Sequence, residues 1–400
     1  MPTHSYNHPL AAVVTMLLLA ACGDAETGGA RSGPPGQPSR LLAVSLNRQV
    51  GVPDEPVPSR PTVVVTDARG TPVAGVPIEF EVTAGGGTVD PPSGTSGANG
   101  QLQAEWHLGP SGTQELRARI AGTTSSGAVP FTAVFPSHGG YQIDLRLLSS
   151  ATDAQWTAFT AAAARIEEFV VGALSTVDLS GRRCDGTPLS GTVRGLQIVV
   201  RLQTIDGRGG ILGQAGPCIV RSSSGLPAVG VMEFDTADLA ALETGGTLRS
   251  TILHEMLHIV GFGFWDPPLL TGAGTLNSSF TGANAVAAAT RYNGAPSSWT
   301  SVPVENCEGF RPTQCGIGTR DSHWRESVFR NELMTGYLSG TTQPLSRTTI
   351  ASLADLGYTV DLEAEDPFDL RVMSLFSSDP DPEALPLGDD VLRLPIELVP

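Results

Sequence analysis

The stretch HEMLHIVGFGF, His254 to Phe264, places two histidines four residues apart, with a glutamate directly after the first. On a helix, positions i and i+4 lie one turn apart on the same face, so His254 and His258 can present two imidazoles to one ion. Glu255 then stands beside them as a general base. The surrounding LRSTILHEMLHIVGF is apolar on nearly all sides and predicts a buried helix. Burying polar groups without partners costs roughly a few kcal/mol, a cost that metal coordination removes. The alternative is a core helix whose histidines are satisfied by ordinary hydrogen bonds.

A catalytic zinc usually takes three protein ligands and keeps its fourth position open. The extended pattern H-E-x-x-H-x-x-G-x-x-H is followed through Gly261 and broken at Phe264. A helical glutamate further along is also missing, since no acidic residue lies between Asp266 and Glu305. Beyond the first segment the histidines are His107, His138, His254, His258 and His323. His107 falls on the polar face of a strand pattern and His138 in a Pro-Ser-His-Gly-Gly linker. His323 stands in DSHWRESVFRNELMTGYL and is the candidate third ligand. A carboxylate, Glu305 or Glu308, is the other way to complete the set.

H-E-x-x-H-x-x-G-F, a long insertion, His323-Trp324 and then Glu332-Leu-Met-Thr-Gly336 resemble the leishmanolysin family of metzincins. SLADLGYTVD, ending at Asp361, is similar to that family's closing helix. The resemblance covers residues 141–362. It implies an α+β zincin-type domain with one catalytic Zn2+ bound by His254, His258 and His323, and Glu255 as general base and acid. It also implies that Gly261 makes the turn ending the helix and that Met334 forms the apolar floor beneath the metal. Tyr337 is either an oxyanion or substrate contact, or an ordinary core or surface tyrosine. The strand around Val229 to Phe234 is expected to be the edge along which an extended substrate pairs. Leishmanolysin carries a propeptide cysteine that caps the zinc; here no cysteine lies between Cys22 and Cys184, so that form of latency is absent.

The preceding hundred residues read as strand after strand. VPIEFEV puts Ile78, Phe80 and Val82 on one face, QLQAEWHL does so with Leu102, Ala104, Trp106 and Leu108, and QELRARI with Leu116, Ala118 and Ile120. Period-2 runs separated by glycine-rich turns indicate an antiparallel β-sandwich. TVVVTDARGTPVAGVPIEF followed by GTSGANGQLQAEW resembles bacterial Ig-like repeats of the invasin and intimin type. The fold class is therefore multidomain, an all-β Ig-like sandwich followed by an α+β domain. TDAQWTAFTAAAARIEEF predicts a helix that opens the second unit, with Phe159, Ala162, Ile166, Phe169 and Val170 on its apolar stripe.

Leu10 to Ala21 is a short apolar run ending in small residues, and Leu19-Ala20-Ala21-Cys22 resembles the lipobox of bacterial lipoproteins. Residues 1–21 are then a signal peptide, Cys22 the lipidated residue and 22–39 a flexible tether. The sandwich spans 40–136, the peptidase-like domain 140–362, and an acidic, proline-containing extension 363–400. That extension is either solvated or a final strand packing back. The expected location is the bacterial envelope, on its periplasmic or outer side. Cys184, Cys218, Cys307 and Cys315 suit disulfides in such a compartment. Four cysteines allow three connectivities, of which the local pairs Cys184–Cys218 and Cys307–Cys315 are expected because each flanks a loop-like stretch. The formal charge of −16 argues against a nucleic-acid partner.

These residues together point to a zinc endopeptidase acting on protein or peptide substrates and anchored to a membrane by lipid. The competing reading is a surface adhesion protein whose zinc domain is structural or inactive.

Overall fold

The alternating stretches of the first hundred residues form strands that bury one face each. In the computed structural model, which describes residues 36–57, 59–123, 127–135, 140–292, 299–310, 315–316, 318–341, 343–368, 370 and 385–400, these strands close around Trp106, Phe131, Leu116, Phe80 and Val65. Their order is β1 (Arg40–Ala43), β2 (Arg48–Val50), β3 (Thr62–Thr66), β4 (Pro77–Ala84), β5 (Thr88–Asp90) and β6 (Ser93–Thr95). Then come β7 (Gln101–Gln103), β8 (Glu105–His107), β9 (Gln114–Ile120) and β10 (Val129–Val134). One sheet runs β1-β3-β7, and facing it β10, β9, β4 and β6 pair antiparallel in that order. The leader, Cys22 and most of the tether lie outside the described residues, as does His138.

The second domain continues the same sheet. It begins with β11 (Ile143–Leu147), and after helix α1 (Asp153–Phe169) come four two-residue strands, β12 to β15, between Val177 and Val193. The central strands follow: β16 (Leu196–Gln203), β17 (Gly213–Arg221) and β18 (Pro227–Asp235). Strand order across the junction is β17-β18-β16-β11-β2-β10, with β11, β16 and β18 parallel and β17 antiparallel to β18. The seam is narrow but well tied. Arg48 is fully buried, pairs with Glu167 at 2.7 Å and donates to the Ile143 carbonyl at 2.5 Å, while Trp156 Nε1 donates to Thr132 Oγ1 at 2.9 Å.

Helix α1 starts where Thr152 caps it, with Gln155 returning the bond to complete a capping box. Its stripe of Phe159, Ala162, Ala163, Ile166 and Phe169 is fully buried. After β18 the chain forms α2 (Leu239–Gly245) and α3 (Leu248–Val260), which packs against α1, β17 and β18. Beyond it lie β19 (Leu270–Thr271), β20 (Ser279–Phe280), α4 (Ala283–Ala289), β21 (Val302–Pro303) and α5 (Glu326–Phe329). The chain closes with β22 (Tyr337–Leu338), α6 (Arg347–Leu356), β23 (Leu385–Pro386) and β24 (Glu397–Val399). Both local disulfides are formed, Cys184–Cys218 and Cys307–Cys315.

One reading of the sequence changes here, and one open alternative closes. The stretch Val229 to Phe234 is not an edge, because β18 lies between β16 and β17 with every residue buried. Beyond β18 lies β17, whose register shifts at Pro217, where a proline is tolerated at a bulge. Of the two alternatives for the end of the chain, the segment from 385 onward takes the second: β24 packs back and adds to β17 in parallel.

Candidate metal centre

Helix α3 ends at Gly261, whose φ of 118° lets the chain reverse while the Phe262 amide donates back to Leu257. A side chain at that angle is strained, so the glycine sets the turn. The reversal carries the Phe262 carbonyl under His258, whose Nδ1 donates to it at 2.9 Å. His254 Nδ1 donates to the Leu333 carbonyl at 2.7 Å, and His323 Nδ1 to the Thr319 carbonyl at 3.1 Å. A carbonyl oxygen can only accept, so all three rings carry hydrogen on Nδ1 and present Nε2 as a free lone pair.

Those lone pairs converge. The Nε2 atoms of His254 and His258 are 3.0 Å apart, those of His254 and His323 3.0 Å, and those of His258 and His323 3.1 Å. With neutral rings no proton lies between them, and three such nitrogens repel unless a cation sits at their focus. Nitrogens bound tetrahedrally at about 2.0–2.1 Å from zinc lie about 3.3 Å apart, close to this spacing. Glu255 is fully buried, and among the described residues neither carboxylate oxygen has a hydrogen-bond partner, an orphaning that a metal and its water would relieve. Burial, then the charge of Asp390, pushes the Glu255 carboxyl well above the usual range.

The third histidine is placed by packing. Trp324 is buried among Phe262, Trp265, Phe280 and Phe329, and its Nε1 donates to Thr349 Oγ1 at 2.8 Å. Its amide donates to the Met334 carbonyl, so the His323 strand and the Met334 turn are stitched together. Met334 itself is fully buried. Glu332 holds the turn, accepting from the Met334 amide at 2.6 Å, the Ser346 amide at 3.0 Å and Thr349 Oγ1 at 2.5 Å. Tyr337 is buried and stacked on Phe310 with centroids 4.3 Å apart, so of the alternatives for it a surface position is excluded. Glu305 is engaged elsewhere, accepting from the Cys307 and Glu326 amides, and the two cysteines near it are bonded to each other.

The sequence reading missed one residue. Asp390 Oδ2 lies 3.1 Å from His323 Nε2, 3.2 Å from His254 Nε2 and 3.9 Å from His258 Nε2, and it is fully buried. Burial alone would raise its pKa, but the facing His323 and His254 hold it well below the ordinary carboxylate range. His323 is correspondingly raised against the effect of burial, while burial lowers His254 and His258. Nothing around Asp390 marked it locally; an aspartate in LGDDVLRLP reads as surface until the chain is folded.

Residues 187–366 match the Leishmanolysin peptidase family. The second domain is of leishmanolysin type. Residues 47–133, ahead of it, match the bacterial Ig-like domain (group 1). Among solved structures, the D00-D0 domain of intimin is 18% identical over 26% of this chain and 48% of its own, with a TM-score of 0.20. The Yersinia pseudotuberculosis adhesin InvE is 21% identical over 24% and 32%, with a TM-score of 0.19. The Escherichia coli adhesin FdeC is 17% identical over 26% and 36%, also at 0.19. The chain thus spans about half the length of the intimin fragment, and less of the other two. Comparison with curated proteins gave no match. The leishmanolysin-type domain supports metallopeptidase chemistry, and its histidine cluster lies within the span matched to that family, whereas Asp390 lies beyond it.

Proposed function

We propose that the chain is a zinc-dependent endopeptidase of envelope or extracellular proteins, held at a bacterial membrane by lipid on Cys22, with the Ig-like sandwich as spacer. The observation that carries this is the convergence of three Nε2 lone pairs beside an unpartnered, buried Glu255. Zinc, when bound by His254, His258 and His323, supplies a Lewis acid for the scissile carbonyl and acidifies a water. Glu255, buried beside the three histidines with its carboxylate unpartnered among the described residues, takes the proton of the attacking water and passes it to the leaving amine. The three backbone carbonyls at Nδ1 keep the imidazoles in the one tautomer that can serve as ligands. The outer flank of β17 is the rim to which an extended substrate would add, and residues 390–399 lie along it.

A second reading is favoured by one observation, the Asp390 carboxylate facing the histidines. Four protein ligands are the mark of a structural zinc, which suits an adhesion protein. The deciding experiment measures zinc content and chelator-sensitive cleavage of unfolded casein, for the chain and for Asp390→Asn. Zinc at one equivalent with casein cleavage by the variant supports the peptidase; zinc without cleavage by either chain supports the structural site.

A further inference from the structure

We propose that residues 385–399 are an internal inhibitory strap, with Asp390 as a displaceable fourth ligand of the metal. This rests on the zinc reading above and adds its regulation. His254, Glu255, His258, His323 and Asp390 are all 0% exposed, so no peptide backbone reaches the base while the segment is in place.

The strap is tied to both walls of the site. On the side of the Met334 turn, β23 pairs with β22, the Leu387 amide donates to the Gly336 carbonyl, and Thr319 Oγ1 donates to the Gly388 carbonyl at 2.9 Å. Asp389 accepts from the Gly318 amide at 2.9 Å. On the opposite wall the Ala215 amide donates to the Asp390 carbonyl, and the Leu392 amide donates to the Ala215 carbonyl, each at 2.8 Å. The Arg393 guanidinium then lies over the Phe264 ring, 5.6 Å from its centroid, where the short metzincin pattern would have had its third histidine.

Two glycines are shaped to this path. A Cβ at Gly216 would stand 1.9 Å from the Leu392 carbonyl oxygen, and one at Gly318 would stand 2.8 Å from Asp389 Cα. One lies on β17 and the other in a turn about a hundred residues later, and both make room for the same backbone. Within the site, among the described residues, Asp390 Oδ1 has no hydrogen-bond partner, and neither oxygen of Glu255 has one. A permanently closed site has no use for a buried base, and leaving it unpartnered costs free energy. A site closed by a removable carboxylate keeps the base for when the strap lifts and water or substrate takes the fourth position.

The test uses the full chain loaded with cobalt(II), titrated with acetohydroxamate and followed by the visible cobalt spectrum. Wild type, Asp390→Asn and Gly216→Ala are compared, the last displacing the strap while leaving every polar group of the site intact. The hydroxamate must expel Asp390 from wild type, so both variants are expected to bind it about tenfold or more tightly than wild type. Equal affinity in all three, at full cobalt occupancy, overturns the strap. Tighter binding in both variants without any casein cleavage upholds the strap and removes the peptidase reading instead. Failure of wild type to take up cobalt removes both.

Discussion

The Leu333 carbonyl accepts from His254 Nδ1 at 2.7 Å, so the turn that carries Met334 orients a histidine 79 residues earlier in the chain. The contact explains why that turn matters without ligating anything. It joins the floor of the site to the tautomer of one ligand, and Glu332 anchors the turn from below.

Replacing Glu332 by alanine frees the Met334 and Ser346 amides and loosens the Leu333 carbonyl. Support of this kind is typically worth about 10–100-fold in metal affinity. Zinc affinity measured by chelator competition should fall within that range while the three histidines remain in place. Unchanged affinity would mean that the turn is held by packing alone.

Glu255→Gln, made together with Asp390→Asn so that the site is open, should retain one equivalent of zinc. Casein cleavage should drop by about 10²–10⁴-fold relative to Asp390→Asn alone, the usual worth of a positioned general base. Cleavage at the parent rate would remove Glu255 from the mechanism.

His323→Ala removes the one imidazole supplied from outside helix α3. Zinc bound only by the folded chain adds to its stability, so the variant should lose both stoichiometric zinc and the chelator-sensitive part of its melting transition. Differential scanning calorimetry with and without chelator checks this. A melt that still responds to chelator would assign the third ligand elsewhere.

Glu326 gives a pH dependence of defined sign. Burial, aided by the charge of Glu305, pushes its carboxyl up to about 8, from an ordinary 4.5. Between those values the folded chain holds a proton that the unfolded chain has released, so stability falls as pH rises from 5 to 8 and levels off above. The slope from this group is at most about 1.4 kcal/mol per pH unit. Glu326→Gln should flatten the decline in melting temperature over that window; an identical pH profile would show that the group is ionised in the fold.

Cys22→Ser tests the anchor. The variant should move from the detergent phase to the aqueous phase on Triton X-114 partition, and retention in detergent would remove the lipoprotein proposal.

Much of the architecture is local and was readable as such. Period-2 alternation marked β4 and β9, and the apolar stripe of Phe159, Ala162, Ile166 and Phe169 marked α1. His254, Glu255 and His258 belong to one helix turn, so their spacing alone placed them together. His323 was reachable by elimination and by the Met334 motif that follows it. Strand β17 was not legible, because Gly213, Gly216 and Pro217 interrupt its pattern and its pairing is set by the neighbouring β18.

Sequence by itself therefore determined the two kinds of domain, the metal-binding helix and the chemistry of its two imidazoles, since each depends on residues near one another along the chain. Only tertiary structure decided that one sheet runs through both domains and that Asp390 reaches the histidines. Asp390 lies 136 residues from His254, and no local period or motif encodes a contact across that distance. It is fixed by the flank of β17 along which the closing segment pairs and by the room that Gly216 and Gly318 leave for the strap, and both exist only once the chain has folded.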